Sequence, residues 1–345
     1  MEENQMKKII PLIIILVLLF TQTGFCGFSK VSTAAAQFLK IGVGARAMGM
    51  GETFVAVAND ATTLFWNPAG LTNITSTSLS VSHSQWFADI YHDFAAIAIP
   101  LGRQGVIGVS AIALNTDEQE VTTIEQPDGA GIFYDVSDIA IGVSYARALT
   151  DRFSTGFTAK YIQQNAYNET ANSVAIDIGT YLQTGFHGLT IAMCVSNFGG
   201  RMKLEGRDLI ALVDINDQID GNYRTDARLK TESWPLPLNF RVGIAMDLMG
   251  GFDPFLPNEN NRFTIAIDGN HPNDNEERVN VGCEYSWKEM MFARAGYKIN
   301  YDVEKWAFGG GLKFAIGQQK LAVDYAYVDF GDLGGVSRFS VELMF

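Results

Sequence analysis

The sequence has few cationic side chains and few cysteines. Lysine and arginine together number 25, against 38 aspartates and glutamates, so the formal net charge is -13. This balance disfavours nucleic acid as a partner, because phosphate contacts need a basic surface. Only three cysteines occur in 345 residues, whereas a secreted soluble domain of this size often relies on more disulfides. We therefore expect the rigidity of the fold to come from another source.

A long hydrophobic run is missing everywhere except at the N-terminus, so membrane-spanning helices are not predicted in the rest of the chain. At the N-terminus two lysines precede an apolar run over residues 9–20, and a small, polar stretch follows. This order predicts a signal peptide over residues 1–26. Lipidation of Cys26 or a retained anchor is the alternative, although Phe25 stands where a lipobox has a small residue. The mature chain is expected in the periplasm, outside the cell, or in an outer membrane.

Catalytic and metal-binding patterns are also missing. No serine–histidine or paired-carboxylate arrangement falls on one face of a predicted strand. The acidic run over residues 271–278 offers Asp274, Glu276 and Glu277 as Ca²⁺ ligands, but it lacks EF-hand spacing, so a solvated loop is favoured. We expect no enzymatic activity, no cofactor and no metal. The histidines occur singly near strand ends or in turns: His83, His92, His187 and His271.

The chain instead shows a regular alternation of side chains. In VNVGCEYSW (279–287) the odd-numbered positions are apolar and the even-numbered positions are small or polar. A period of two is typical of a β-strand with one apolar face. About fourteen segments share this period, and runs with helical spacing are not found among them. The predicted strands are 76–86, 91–101, 105–116, 135–149, 152–166, 171–184, 187–199, 236–249, 261–271, 278–287, 291–300, 305–316, 320–330 and 336–345.

The connectors and the two strand faces indicate a barrel in a membrane. Short turns and longer polar loops alternate, with residues 250–260 as a long exception, and this is the pattern of up-and-down outer-membrane barrels. The face opposite the apolar one carries small side chains and isolated charges of both signs, which suits a polar lumen. Aromatic rings near strand ends on the apolar face suggest girdles at the membrane interfaces. These rings are Trp86, Tyr161, Trp287, Tyr297, Trp306, Tyr327 and Phe345.

The last strand carries the strongest single signal. RFSVELMF (338–345) alternates up to a terminal phenylalanine, which resembles the signature by which outer-membrane barrels are recognised for insertion. We predict an all-β fold, a closed antiparallel transmembrane β-barrel of about 14 strands over residues 76–345, in contact with outer-membrane lipid. By the same alternation Cys194 falls on the small-residue face and Cys283 on the lipid face, so no disulfide is expected.

The segment before the barrel is rich in glycine. Gly42, Gly44 and Ala47 match the dinucleotide fingerprint G-x-G-x-x-[G/A], but no buried strand precedes them and no βαβ pattern follows. A bound dinucleotide is therefore not expected. A barrel of about fourteen strands leaves an opening in its lumen, and this segment has about the right length to occupy it. The alternative is that the segment rests at the periplasmic rim.

AAAQFLKIGVGARAMGMGETFVAVANDATTLFWNPAGLT (34–72) resembles the N-terminal signature of the PorV/PorQ family of bacterial outer-membrane proteins. More distantly it is similar to the hatch of FadL-type fatty-acid transporters, through the elements G-x-G-R-A, N/D-D-A and N-P-A. The resemblance implies a fourteen-stranded barrel with residues 27–75, the hatch segment, folded inside. Glycines there permit close approach to the wall, an Asn-Pro pair fixes a turn, and charged residues could pair with lumen charges. The hatch residues expected to do this are Gly42, Gly44, Arg46, Gly49, Asp60, Asn67 and Pro68.

The resemblance implies two alternative functions. PorV/PorQ proteins are accessory barrels of the type IX secretion system, which engage secreted cargo or machinery proteins through their loops. The loop over residues 199–235, with its apolar run 209–213, is then the partner-facing surface. FadL-like proteins instead carry hydrophobic small molecules across the outer membrane. Four hatch residues then either line an apolar pocket or simply pack the hatch: Phe54, Leu64, Phe65 and Trp66.

Overall fold

The computed structural model describes residues 33–214, 218 and 225–345. The predicted signal peptide (1–26), with Cys26, lies outside the described residues. Within the described residues, no helix has the length and apolar character needed to cross a bilayer.

Fourteen long antiparallel strands form a barrel in the described part of the chain, and they correspond one for one to the predicted segments. A strand of two residues (205–206) adds to one of them, and three two-stranded ribbons lie in the connecting loops. The barrel strands are β1 (Ser78–Gln85), β2 (Ile90–Pro100), β3 (Val106–Thr116), β4 (Val136–Ala148), β5 (Phe153–Ala166), β6 (Glu169–Gln183), β7 (Thr190–Gly199), β8 (Asn239–Met249), β9 (Asn261–Pro272), β10 (Arg278–Trp287), β11 (Met291–Ile299), β12 (Trp306–Ile316), β13 (Gln319–Asp329) and β14 (Gly335–Met344).

The barrel is closed by its first and last strands. Each strand pairs with the next one along the chain, and β14 pairs with β1, where Leu343 lies opposite Leu79 and Val341 opposite Val81. Closure removes the free edges, whose unpaired backbone groups would be costly in hydrocarbon. The prediction of a closed antiparallel barrel is confirmed.

The two faces of each strand differ as the alternation requires. In β4, Ile141 and Val143 are 44% and 56% exposed on the outside, whereas Ala140 and Ser144 are buried on the inside. Apolar side chains on the outer surface of a closed barrel are suited to acyl chains, and small inward residues leave room in the lumen. One aromatic was assigned to the wrong face. Trp86 lies over the lumen, in edge contact with Phe330, because it continues the inward parity of β1 beyond the strand end.

The connectors define two rims. The terminal rim carries both ends of the barrel sequence and the turns 101–105, 149–152, 184–189, 250–260, 288–290 and 317–318. The loop rim carries the connectors 86–89, 117–135, 167–168, 200–238, 273–277, 300–305 and 330–334. The expected alternation of short and long connectors is therefore only approximate, because 86–89 and 167–168 are short although they lie at the loop rim.

The hatch segment crosses from one rim to the other along the inside of the wall. Near its start Ala35 donates a backbone hydrogen bond to Pro235 at the loop rim, and just after its end Thr77 accepts one from Phe345 at the terminal rim. Between them lie two short helices, α1 (Ala45–Gly49) and α2 (Thr63–Trp66), with two 3₁₀ turns. The segment contacts eleven of the fourteen strands: β3, β4, β5, β6, β8, β9, β10, β11, β12, β13 and β14.

Candidate functional site

The hatch segment approaches the wall through glycines on both sides. A Cβ placed on Gly49 would lie 2.9 Å from the Cα of Gly309 on β12. A Cβ placed on Gly296 of β11 would overlap the backbone of Gly51 and its neighbour. The absence of side chains at these positions lets backbone pack on backbone. Gly49 and Gly51 therefore serve contact with the wall, whereas Gly42 faces Met48 and Trp66 of the hatch segment itself.

A sharp turn follows helix α1. Gly51 and Glu52 are consecutive residues with φ values of 66° and 65°. This left-handed region is easy for glycine and costs an ordinary residue of order 1 kcal/mol or more. Two bonds hold Glu52 in place: its backbone N–H donates to Ala47 O at 2.9 Å, and its carboxylate pairs with Lys298.

The start of helix α1 is tied to β14. Gly42 accepts a hydrogen bond at its carbonyl from the guanidinium of Arg338. Gly44, with a φ of 77°, precedes the helix and packs against the side chain of Thr62. The first helical residue, Ala45, donates its backbone N–H to the Ser340 hydroxyl at 3.2 Å.

Arg46 joins the hatch segment to the wall by an ion-pair network. Its Nε and Nη2 donate to the two carboxylate oxygens of Glu284 on β10, both at 2.8 Å, and its Nη1 donates to Asp60 at 3.0 Å. Glu284 also accepts from Arg294, which donates in turn to Asp324. Burial by itself lowers the pKa of Arg46, but the carboxylates of Glu284 and Asp60 outweigh it and hold the pKa above its usual range. Such a bidentate arrangement fixes orientation as well as charge.

Asp60 and Asn67 organise the second half of the hatch segment. Asp60 accepts from the backbone N–H of Thr62 at 3.0 Å besides its pair with Arg46. Asn67 precedes Pro68 and accepts from the Ala69 N–H at 3.1 Å. Its amide nitrogen donates to Thr180 O of β6, also at 3.1 Å. The Asn-Pro pair is thus both a turn and a point of attachment to the wall.

A second ion-pair cluster lies closer to the loop rim. The Lys298 ammonium of β11 contacts Glu52 at 2.8 Å and also pairs with Glu304 of the connector 300–305. The Lys298 side chain is fully buried, and that of Glu52 is 14% exposed. Burial by itself raises the pKa of Glu52, but Lys298 outweighs it and holds the pKa below its usual range.

Two further attachments use a wall or loop carboxylate. Asp268 of β9 accepts from the backbone N–H groups of Phe54 and Val55 at 2.8 and 3.0 Å. Asp274 of the connector 273–277 is buried and accepts from Lys40 at 3.0 Å. Asp274 is therefore turned toward the hatch segment, while Glu277 points to His271. The Ca²⁺ alternative for this acidic run is not supported, because its carboxylates do not converge.

Sequence reasoning did not single out Lys40, Glu52 or Lys298, and it considered Asp274 only as a Ca²⁺ ligand and not as a partner of the hatch segment. A usable signal was present only for Lys298, which shares the inward parity of Arg294 on the same strand. The other three lie in hatch or loop sequence, where no periodicity says which way a side chain points.

The four residues considered for an apolar pocket pack against one another. Trp66 is in edge contact with Phe54 and Phe65, at centroid distances of 6.3 and 4.9 Å. The guanidinium of Arg241 lies 5.1 Å from the Trp66 ring, and Leu64 packs into the space above Gly108. None of these residues lines either of the cavities described next, so the arrangement is that of a packed interior.

Two of the cavities beside the hatch segment lie toward opposite rims of the barrel. The first, of about 210 Å³, opens toward the terminal rim between residues 56–59 and strands β6 to β9, with Tyr181, Asp247 and Arg262 in its wall. The second, of about 170 Å³, opens toward the loop rim beside Lys40 and Glu52. Both cavities are lined by polar as well as apolar groups.

The longest connector at the loop rim exposes apolar side chains. Residues Ile210–Val213 pair with Thr225–Arg228 to form a hairpin, which is called the loop hairpin below. Ile210 and Leu212 are 45% and 65% exposed on it, and Trp234 in another ribbon of the same connector is 47% exposed. Large apolar side chains grouped on a loop mark an interaction surface more often than scattered ones do.

A family model described as "Type IX secretion system protein PorV" matches residues 28–271. The chain belongs to the PorV family. The match includes the hatch segment, both ion-pair clusters in part, and the loop hairpin, and it places the protein in the bacterial outer membrane. None of the curated proteins gives a significant match.

Solved structures show the same barrel architecture in other proteins. The toluene transporter TbuX of Ralstonia pickettii is 13% identical with a TM-score of 0.52, covering 88% of this chain and 97% of its own. The CymD monoaromatic hydrocarbon channel is 13% identical with a TM-score of 0.54, covering 88% and 96%. A Pseudomonas aeruginosa FadL homologue is 11% identical with a TM-score of 0.53, covering 88% and 98%. At these identities the likeness concerns the fold alone.

Proposed function

We propose that this PorV-family barrel is an accessory component of type IX protein secretion that engages partner proteins at its loop rim and does not catalyse a reaction. The observation that carries the proposal is the loop hairpin, because it exposes apolar side chains away from the lipid-facing wall. Secreted cargo or another component of the secretion machinery is the expected partner. In a partner complex these side chains lose water contact, which supplies about 25 cal/mol for each Å² of apolar surface removed from water.

The hatch segment supports the same proposal, because we infer that it closes the lumen. Its contact with eleven strands, including backbone contacts at Gly49 and Gly51 and ion pairs at Arg46 and Glu52, leaves few groups free to move independently. Breaking one buried ion pair by removing a single partner costs about 3–5 kcal/mol. A barrel closed in this way acts through its surface and not as an open pore.

The test is a co-purification experiment on the full-length protein from the membranes of its native host in mild detergent. A Leu212→Asp variant places a charge on the loop hairpin, and an Ile124→Asp variant makes the matched change on the connector 117–135, where Ile124 is fully exposed. We expect the unchanged protein and the Ile124→Asp control to retain a stoichiometric protein partner, and the Leu212→Asp variant to lose it. Equal recovery of the partner with both variants contradicts the assignment to the loop hairpin.

A second candidate is transport of an apolar small molecule, and the fold likeness to TbuX and CymD favours it. Mass spectrometry of the same preparation separates the two candidates, since a bound hydrocarbon or fatty acid in place of a protein supports transport. Replacement of Phe65 by alanine opens space in the packed group around Trp66. If the group is only packing, this variant is less stable by about 3–5 kcal/mol and its small-molecule content does not change.

A further inference from the structure

The cavity at the loop rim is lined by three cationic and three anionic side chains, and two more cations, Lys298 and Arg338, contact lining residues from outside it. It lies between the start of the hatch segment and the loop-rim ends of β8, β9 and β10. Trp86 and Tyr301 also line it. Three carboxylates line it, and each one already forms an ion pair. Asp274 pairs with Lys40, and Glu52 and Glu304 both pair with Lys298.

Three arginines at this site have no carboxylate partner within 4.0 Å among the residues that the structure describes. Arg241 and Arg278 line the cavity itself, and Arg338 stands beside it, bonded to the carbonyl of the lining residue Gly42. Arg241 and Arg338 are 7% and 1% exposed. A buried guanidinium that lacks a counter-charge has lost hydration without replacing it, which is costly.

Polar atoms without partners converge on the same place. The Nε and Nη2 of Arg338 and the Nε of Arg278 are buried without a hydrogen-bond acceptor in the described structure. Asn280, two residues from Arg278 on β10, is fully buried, and its side chain lies close to that of Tyr301 in the cavity wall. Buried donors are satisfied in more than nine of ten cases by protein or bound groups. Several unsatisfied donors at one cavity indicate that an acceptor-rich group belongs there.

Aromatic rings pack against the guanidinium groups of the two lining arginines. The Arg241 guanidinium lies 5.1 Å from the Trp66 ring centroid and 5.6 Å from that of Phe65. The Arg278 guanidinium lies 4.3 Å from the Tyr301 centroid. A ring against the face of a guanidinium fixes its plane and leaves the N–H groups at its edge free to bind a planar or tetrahedral oxyanion.

We propose that this cavity binds a small oxyanion, a carboxylate or a phosphate, which reaches Arg241 and Arg278 from the loop rim. A water molecule occupies about 30 Å³ in the liquid, so a cavity of about 170 Å³ accommodates one such group with a few waters. The bound anion supplies acceptors to Arg241 and Arg278, and its charge offsets that of the neighbouring Arg338. It also links the hatch segment to the wall, because Lys40 and Gly42 line the same cavity.

The experiment is a titration of the purified full-length barrel in nonionic detergent, followed by calorimetry and by thermal unfolding. Inorganic phosphate and succinate are the two probes, and sodium chloride at matched ionic strength is the control for screening. We expect saturable heat and a rise in Tm with one or both probes. Saturation by phosphate alone assigns a phosphate group, and saturation by succinate assigns a carboxylate. No saturable response to either probe beyond the chloride control overturns the proposal.

Two variants locate the site. Arg278→Gln and Arg241→Gln each remove one charge from the cavity, and Arg103→Gln removes the same charge from an exposed turn at the terminal rim. We expect the affinity for the effective probe to fall at least about tenfold in both cavity variants and to stay unchanged in Arg103→Gln. Unchanged affinity in Arg278→Gln contradicts the site. That variant remains informative if Arg241→Gln does not fold, because Arg278 is only partly buried and its ring contact is with Tyr301 of the connector 300–305.

Discussion

Glu52 and Lys298 are 246 residues apart in the sequence, and their side chains form an ion pair of 2.8 Å between the hatch segment and the wall of the barrel. The pair holds Glu52 in a left-handed backbone conformation directly after the close contact between Gly51 and Gly296. Backbone packing and ion pairing therefore act on the same turn.

The Glu52–Lys298 pair predicts that acid weakens the hatch segment. Lys298 holds the folded-state pKa of Glu52 below its usual value, so the stabilisation is fully present above the unfolded pKa of about 4.3 and is lost as the pH falls through the folded value. We expect the Tm of the barrel in detergent to fall on acidification from about pH 7 to about pH 3. Glu52→Gln should lower the Tm at neutral pH and flatten part of this dependence, while the exposed Glu118→Gln leaves both unchanged. If the Tm of Glu52→Gln depends on pH in the same way as that of the unchanged protein, the Glu52–Lys298 pair does not contribute to stability.

The contact between Gly51 and Gly296 predicts that the wall tolerates no side chain there. Gly296→Ala places a methyl group against hatch backbone, whereas Gly310→Ala on the next strand meets its nearest neighbour, Phe292 O, at 3.8 Å. Overpacking of this kind costs about 1–3 kcal/mol. We expect a lower Tm and faster proteolysis of the hatch segment in Gly296→Ala, and values close to the unchanged protein in Gly310→Ala. Equal behaviour of the two variants would mean that the hatch segment is not held against β11.

The ion-pair network around Arg46 predicts that a single positive charge cannot replace the guanidinium. Arg46→Lys keeps the charge and loses the two parallel hydrogen bonds to Glu284, so we expect a loss of about 2–3 kcal/mol. Lys203→Gln breaks an exposed pair with Glu205 and should cost less than about 1 kcal/mol. Denaturant unfolding in detergent gives both values. A loss in Arg46→Lys no larger than in Lys203→Gln refutes the bidentate role.

The two cysteines of the barrel predict a pattern of chemical labelling. Cys194 is buried on the inward face of β7, and Cys283 is partly exposed on the outer face of β10. In liposomes we expect an apolar maleimide to label Cys283 and a charged thiol reagent to label neither residue. The Cys283→Ser variant should then be unreactive toward the apolar maleimide. Labelling of Cys283 by the charged reagent in intact liposomes would place that face in water.

Much of the barrel could be predicted because the required information is local. The period of two in VNVGCEYSW places Cys283 outside and Glu284 inside whichever strands lie beside it, and the same reasoning located all fourteen strands. The error at Trp86 came from assigning it to the apolar face by residue type, although the parity of β1, in which even-numbered residues point inward, places it over the lumen. The resemblance of the glycine-rich stretch to a known family pointed to the correct family, as the match over residues 28–271 shows.

The amino-acid sequence alone determined the strands and their two faces, because alternation within ten residues is enough to specify both, and the resemblance of residues 34–72 to a known family indicated the membrane. Only the tertiary structure decided which hatch residue meets which strand. Lys298 and Glu52 become neighbours only after the barrel closes around the hatch segment, and so do Arg46 and Glu284. A local sequence pattern cannot predict contacts between residues so far apart in the chain. The unpaired arginines at the loop rim belong to the same class, since a missing partner is a property of the assembled lumen and not of any stretch of chain.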